Sequence, residues 1–252
     1  MIRFGTMSWI YDDWRGPLYA VDTKHERMLA ELSKIFSAVE IDATFFGLPR
    51  PSTLTGWANQ TAENFRFTAK LPRAITHEKR LTGNATEDAL FAAEAIQTGL
   101  KGKLACLLVQ LPAEIGTADR KHIEAFFAEV SGHGFPLALE LRDVAWLKTD
   151  IADFLFERDI QLVTTEKVDF GYPPTYLRLL GEEGSVARFD SRQFDRSKEL
   201  EEWIVRLKES PDALVFVRNF YEGHAPGTLF YLMEKLGYPV PVPPGQQQMS
   251  LF

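Results

Sequence analysis

Apolar residues along the chain fall into short, nearly continuous runs bounded by polar and turn residues. Runs of that length suit strands buried on both faces. Eight such runs stand out: Ile2–Thr6, Ala38–Thr44, Phe65–Lys70, Leu104–Gln110, Pro136–Leu141, Ile160–Thr165, Tyr176–Leu180 and Leu214–Asn219. Between them the apolar positions recur every three to four residues, as on one face of a helix. His25–Phe36, with Met28, Leu29, Leu32, Ile35 and Phe36, is the first helix predicted. Pro51–Asn59, Thr86–Gly99, Ala118–Val130, Asp150–Glu157, Lys198–Lys208 and Gly227–Leu236 follow. After Thr165 the pattern weakens, because Tyr172-Pro173-Pro174 breaks any long helix. Strands alternating with helices at this count predict a single-domain α/β fold, a (β/α)₈ TIM-like barrel over residues 1–238. A doubly wound open sheet is the rival, but no glycine-rich phosphate loop follows the first strand. Residues 239–252 form a separate tail, whose segment Pro239-Val240-Pro241-Val242-Pro243-Pro244-Gly245 is expected to be extended, stiff and held away from the barrel.

The run Ala38-Val39-Glu40-Ile41-Asp42-Ala43-Thr44-Phe45-Phe46 organises the rest. Read as one strand, it puts Val39, Ile41 and Ala43 on one face. Glu40 and Asp42 then share the other, ~6.6 Å apart. A carboxylate on a buried strand needs a partner, because removing a charge from water costs several kcal/mol. Cations must therefore arrive from other strands.

Composition narrows the class. With 252 residues, 45% of them hydrophobic, the chain can bury a large core. The net charge of -7 argues against general binding of polyanions, while leaving room for a local basic rim. A single cysteine, Cys106, excludes an intrachain disulfide framework and a cysteine-rich zinc site. Met1-Ile2-Arg3-Phe4-Gly5 enters a strand pattern directly, without the shape of a signal peptide, and no apolar run reaches about 18 residues. The reading is a cytoplasmic protein with no membrane partner.

Barrel enzymes carry their chemistry at the C-terminal ends of the strands. Polar residues gather there in this chain. Glu40 and Glu140 are the acid–base candidates. Lys70, Arg142 and Arg178 are the counter-charges; Lys70 would alternatively form a Schiff base if its amine were desolvated. His77, in a basic loop after the third strand, is a candidate proton shuttle or anion ligand. Asp42, Gln110 and Asn219 are positioning groups for a substrate, and Trp9 offers an aromatic face. Thr164, Thr165, Glu166 and Arg218 also fall at strand ends. The competing reading is a charged network that fills the mouth and fixes strand register. No cofactor is required by the sequence. The histidines are too scattered for a multinuclear zinc centre. An oxygen-only Mg²⁺ site built from Glu40, Asp42 or Glu140 stays open. The partner would be an anionic small molecule or a nucleic acid.

The same residues sit in an ordered set of strings: Gly5-Thr6-Met7-Ser8-Trp9, then Val39–Phe46, Lys70-Leu71-Pro72 with Ile75-Thr76-His77, Gln110-Leu111-Pro112, Glu140-Leu141-Arg142 with Trp146, and Asn219-Phe220-Tyr221-Glu222-Gly223. Together they resemble the YecE-like family, a domain of unknown function numbered 72. The resemblance spans nearly the whole chain and implies a (β/α)₈ barrel, but no established reaction. Two positions depart from the family pattern: Leu180 stands where a histidine is usual, and Arg218-Asn219 where an asparagine pair is usual.

Two functional readings follow. One is a hydrolase or acid–base enzyme acting on an anionic sugar- or nucleotide-like substrate at the mouth. The other is a non-catalytic nucleic-acid or nucleotide-binding protein linked to DNA replication or repair. The second draws on the C-terminus, where Gln248-Met249-Ser250-Leu251-Phe252 resembles the peptide with which bacterial DNA-processing proteins dock on the sliding clamp. Gln248 would supply hydrogen bonds, and Met249, Leu251 and Phe252 would fill an apolar pocket. The competing reading packs Leu251 and Phe252 back on the barrel.

Overall fold

The apolar runs do become strands buried on both faces. The structure, a computed structural model, describes residues 1–245. Its strands are β1 (Arg3–Met7), β2 (Ala38–Ile41), β3 (Arg66–Lys70), β4 (Leu104–Gln110), β5 (Leu137–Glu140), β6 (Gln161–Thr165), β7 (Tyr176–Leu179) and β8 (Leu214–Val217). All pair in parallel with their sequence neighbours, and β8 closes on β1. Helices α1 (His25–Leu32), α3 (Pro51–Asn59), α4 (Ala85–Gly99), α5 (Arg120–Ser131), α6 (Ile151–Phe156), α7 (Ser197–Leu207) and α8 (Ala225–Lys235) occupy the crossovers, and α2 (Ala43–Phe46) is a single turn after β2.

Alternation along each strand divides the apolar side chains into two clusters. Val39, Ile41, Phe67, Leu107, Val109, Leu139, Leu177 and Val215 pack with the helices. Ala38, Cys106, Leu108, Ala138, Val163, Tyr176, Leu214 and Phe216 fill the barrel interior. Gly5 on β1 is fixed by this filling. A side chain there would meet the Ala38 carbonyl at 2.4 Å and the Phe216 ring at 2.7 Å. Towards the C-terminal ends the inward positions change from apolar to charged, and this change makes the mouth.

The structure departs from the sequence reading in two places, the end of β2 and the proline-rich segment, and agrees with it on the β6–β7 connection. β2 stops at Ile41, not Thr44. Asp42 already has helical backbone angles and opens α2, where Thr44 donates its hydroxyl to the Ile41 carbonyl. Glu40 and Asp42 are therefore not neighbours on one strand face. Among the described residues no helix joins β6 to β7, because Pro173 and Pro174 interrupt the connection. The proline-rich segment is not a free spacer either. Pro243 and Gly245 are buried, and the Gly245 amide donates to the Leu18 carbonyl. Gln248, Met249, Leu251 and Phe252 lie outside the described residues. No helix among the described residues is long and apolar enough to cross a membrane.

Candidate functional site

Three strands send charged side chains to one point inside the barrel. Glu40 of β2, Glu140 of β5 and Arg178 of β7 are each at most 2% exposed. Arg178 binds Glu40 with two hydrogen bonds, Nη2 to Oε1 at 2.7 Å and Nε to Oε2 at 3.1 Å. Its Nη1 donates to Glu140 Oε2. The remaining acceptor capacity is also used. Tyr176 donates its hydroxyl to Glu40 Oε2 at 2.6 Å. Glu140 Oε1 accepts from Gln110 at 2.7 Å and from Arg142 Nε at 3.2 Å.

This arrangement fixes the protonation states. Burial on its own would raise the Glu140 carboxyl; Arg178, then Arg142 and Lys70, outweigh it and hold the group below the ordinary carboxylate range. Burial on its own would lower Arg178, but Glu140 and Glu40 raise it well above the ordinary value. Glu140 thus stays ionised, and the acid half of the expected acid–base pair is not open to it. Nor are its oxygens free for a cation, since guanidinium and amide groups already occupy them. Among the described residues no group of three or more His, Cys, Asp or Glu could hold a metal ion.

Above this buried layer the mouth opens into two adjoining cavities. The inner one, about 280 Å³, is lined by Asp42, Phe45, Phe46, Lys70 and Gln110, with Arg178 at its wall. The outer one, about 610 Å³, lies at the ends of β5 to β7 and is lined by Glu140, Thr165, Glu166, Gly181 and Arg196. Arg142, Leu180, Glu183 and Arg218 line both. Lys70 pairs with Asp42 at 2.7 Å, and its ammonium stands 5.8 Å from the centre of the Phe45 ring. Arg218 lies over Phe220 at 4.7 Å and pairs with Glu183 at 3.3 Å. A wider groove of about 840 Å³ runs along α8 towards Val240, but it gathers only Arg192 and Glu234 as charged groups. The convergent chemistry is at the mouth.

Glu166, like Arg218, is marked by the sequence only as a polar strand-end residue, with no role assigned. It follows β6, is half-buried, and accepts main-chain N–H bonds from Leu180 at 2.7 Å and Gly181 at 2.8 Å. Burial raises its carboxyl above the ordinary value, and those main-chain donors only partly offset it. The available signal was its place at a strand end. What could not be read was that the β7 end would meet it.

Three expected site residues line neither cavity. Trp9 is buried and packs edge-on against Trp57, with ring centres 5.2 Å apart. Asn219 is buried and accepts the Ala225 amide at 2.9 Å, so it shapes the start of α8 and lines neither mouth cavity. His77 sits on a helical turn after β3, edge-on to Phe45 at 4.9 Å, and also lines neither cavity. Burial, with Arg142 and Arg73, lowers its imidazole below the ordinary value. Gln110, Arg142, Lys70 and Asp42 do meet at the mouth.

A closed barrel of parallel strands with an ion-paired, two-chambered cleft at their C-terminal ends defines an α/β-barrel protein of the kind whose sites lie at that face. More narrowly, the chain belongs to the family described as protein of unknown function DUF72, which matches residues 3–249. It is similar to the UPF0759 protein YunF of Bacillus subtilis, 24% identical over 76% of this chain and 71% of that protein. It is also similar to the UPF0759 protein YecE of Escherichia coli, 28% identical over 45% of this chain but only 41% of YecE. Crystal structures of DUF72 family proteins share the fold. The Thermotoga maritima protein superposes with a TM-score of 0.76 at 20% identity, over 94% of this chain and 99% of that one. The Enterococcus faecalis protein gives 0.71 at 20% identity, over 96% and 97%.

Proposed function

We propose that the protein is an acid–base enzyme, hydrolytic in its simplest form, acting on a small anionic ligand in the barrel mouth. Glu166 carries the proton, and Arg142 and Arg218 hold the anion. One observation supports this reading above the others. Glu166 is a carboxyl raised by burial, and it lines a cleft that sets the cations Arg142, Lys167, Arg196 and Arg218 beside the acids Glu140, Glu182 and Glu183. A general acid or base works best when its pKa approaches the working pH, and burial moves Glu166 in that direction. Glu40 and Glu140 take fixed-charge roles: they hold Arg178 in place, and Glu140 aims Arg142. Lys70, held by Asp42, adds positive charge at the inner wall.

The alternative is a binding module without turnover, including one whose tail docks on a sliding clamp. A screen of chromogenic nitrophenyl phosphates, glycosides and carboxylate esters separates the two. The enzyme reading expects turnover of at least one substrate and a loss of about 100-fold or more in Glu166→Gln, with binding of inorganic phosphate retained. Phosphate binding with no turnover supports the module. Full activity in Glu166→Gln removes Glu166 from the mechanism.

A further inference from the structure

The mouth contains an acid that satisfies one of its own anion-holding groups. Glu183 lies on the connection between β7 and α7, lines both cavities and pairs with Arg218, although its side chain is 77% exposed. An ion pair that exposed contributes little to stability. The deeper cations are already committed: Arg178 to Glu40 and Glu140, and Lys70 to Asp42. Arg142 engages Glu140 through Nε, and among the described residues its guanidinium makes no other hydrogen bond. Of the inner cavity's cations among the described residues, Arg142 and Arg218 are therefore the two with capacity left. Both border the inner cavity, where Glu183 partly occupies the place an incoming anion would take.

The same cavity carries an aromatic surface that packing does not use. Phe45 is engaged on several sides, by Lys70, His77 and the edge of Phe46. Phe46 is 83% exposed, yet it lines the cavity beside those cations. A flat apolar face next to guanidinium groups with donors to spare fits a flat ligand with a negative substituent.

We propose that the inner cavity binds a planar aromatic or heteroaromatic ring bearing an anionic group, with the ring on Phe46 and the anion displacing Glu183 between Arg218 and Arg142. This rests on the mouth being the ligand site and adds the substrate class. The anion can be a carboxylate or a phosphate, since both accept two parallel bonds from a guanidinium.

The test is calorimetric titration of the full chain at low salt with benzoate, cyclohexanecarboxylate, phenyl phosphate and inorganic phosphate. The aromatic probes are expected to bind about three- to tenfold tighter than their non-aromatic counterparts. Phe46→Ala should abolish that difference; the residue is exposed, and an unchanged melting curve will show that the fold is intact. Glu183→Gln should tighten every anion by roughly two- to fivefold, because it removes the competitor. Arg218→Ala should weaken them all. The preferred member of the carboxylate and phosphate pairs identifies the anion. If ring and non-ring anions bind equally but still respond to Arg218→Ala, the ring assignment is overturned and the anion site stands. If no anion binds, both fall. If Glu183→Gln weakens binding, the displacement is wrong.

Discussion

Replacing Arg178 with alanine is expected to destabilise the fold by about 3–5 kcal/mol at neutral pH, because it strands two buried carboxylates. Glu40 and Glu140 are at most 1% exposed, and Arg178 is the cation that both contact. The cost comes from uncompensated charge, so removing the charges should recover it. Combining Glu40→Gln, Glu140→Gln and Arg178→Met is expected to restore most of the loss, as buried ion networks are often replaceable by neutral groups. The pH dependence has a definite sign. In the wild type Glu140 titrates below its ordinary value of 4.5, so its contribution is complete above 4.5 and fades as pH falls through the folded value. Without Arg178, burial raises the Glu140 carboxyl, folding takes up protons, and the variant gains stability on acidification. The deficit in melting temperature should therefore narrow between pH 7 and pH 4.5. An equal deficit at both would mean that the charges are not the cause.

Gly181→Ala is expected to cost about 3 kcal/mol or more and to disturb the site as well. Gly181 has φ of 65°, a left-handed conformation that glycine tolerates and alanine resists. A Cβ there would stand 2.1 Å from the Phe220 carbonyl oxygen and 2.5 Å from the Tyr221 nitrogen, both main-chain atoms. To accommodate it, the β7 end must part from the loop after β8. That movement would withdraw the N–H that Gly181 donates to Glu166. Thermal unfolding measures the first effect, and turnover on any substrate found by the nitrophenyl screen measures the second. A variant with unchanged melting temperature would show that the two loops are not in contact.

These effects show what was legible in the sequence. Barrel strands are buried on both faces, so the apolar runs marked all eight positions directly. Their ends were less visible. Thr44 and Phe45 have strand propensity, yet a local turn closed by the Thr44 hydroxyl ends β2 at Ile41. Glu40, Glu140 and Arg178 could be recognised as strand-end charges, but not their meeting at one point. That depends on which strands face each other across the barrel. Trp9 and Asn219 carry polar or aromatic groups in loops at the mouth, which is why they read as ligand contacts. Their side chains turn into the packing behind the loops. Glu166 was hidden for the opposite reason. Its place at a strand end gave it no role, and its environment is supplied by Leu180 and Gly181, just past the end of β7.

The acids at the mouth divide into a fixed-charge group, represented by Glu140, and a proton carrier, Glu166. Carbon-detected NMR titration of the glutamate carboxyls tests that division most directly, with Glu140→Gln and Glu166→Gln used for assignment. Glu166 is predicted to titrate above the ordinary value of 4.5 and Glu140 below it. The reverse order, or a Glu166 midpoint at or below 4.5, would contradict the account.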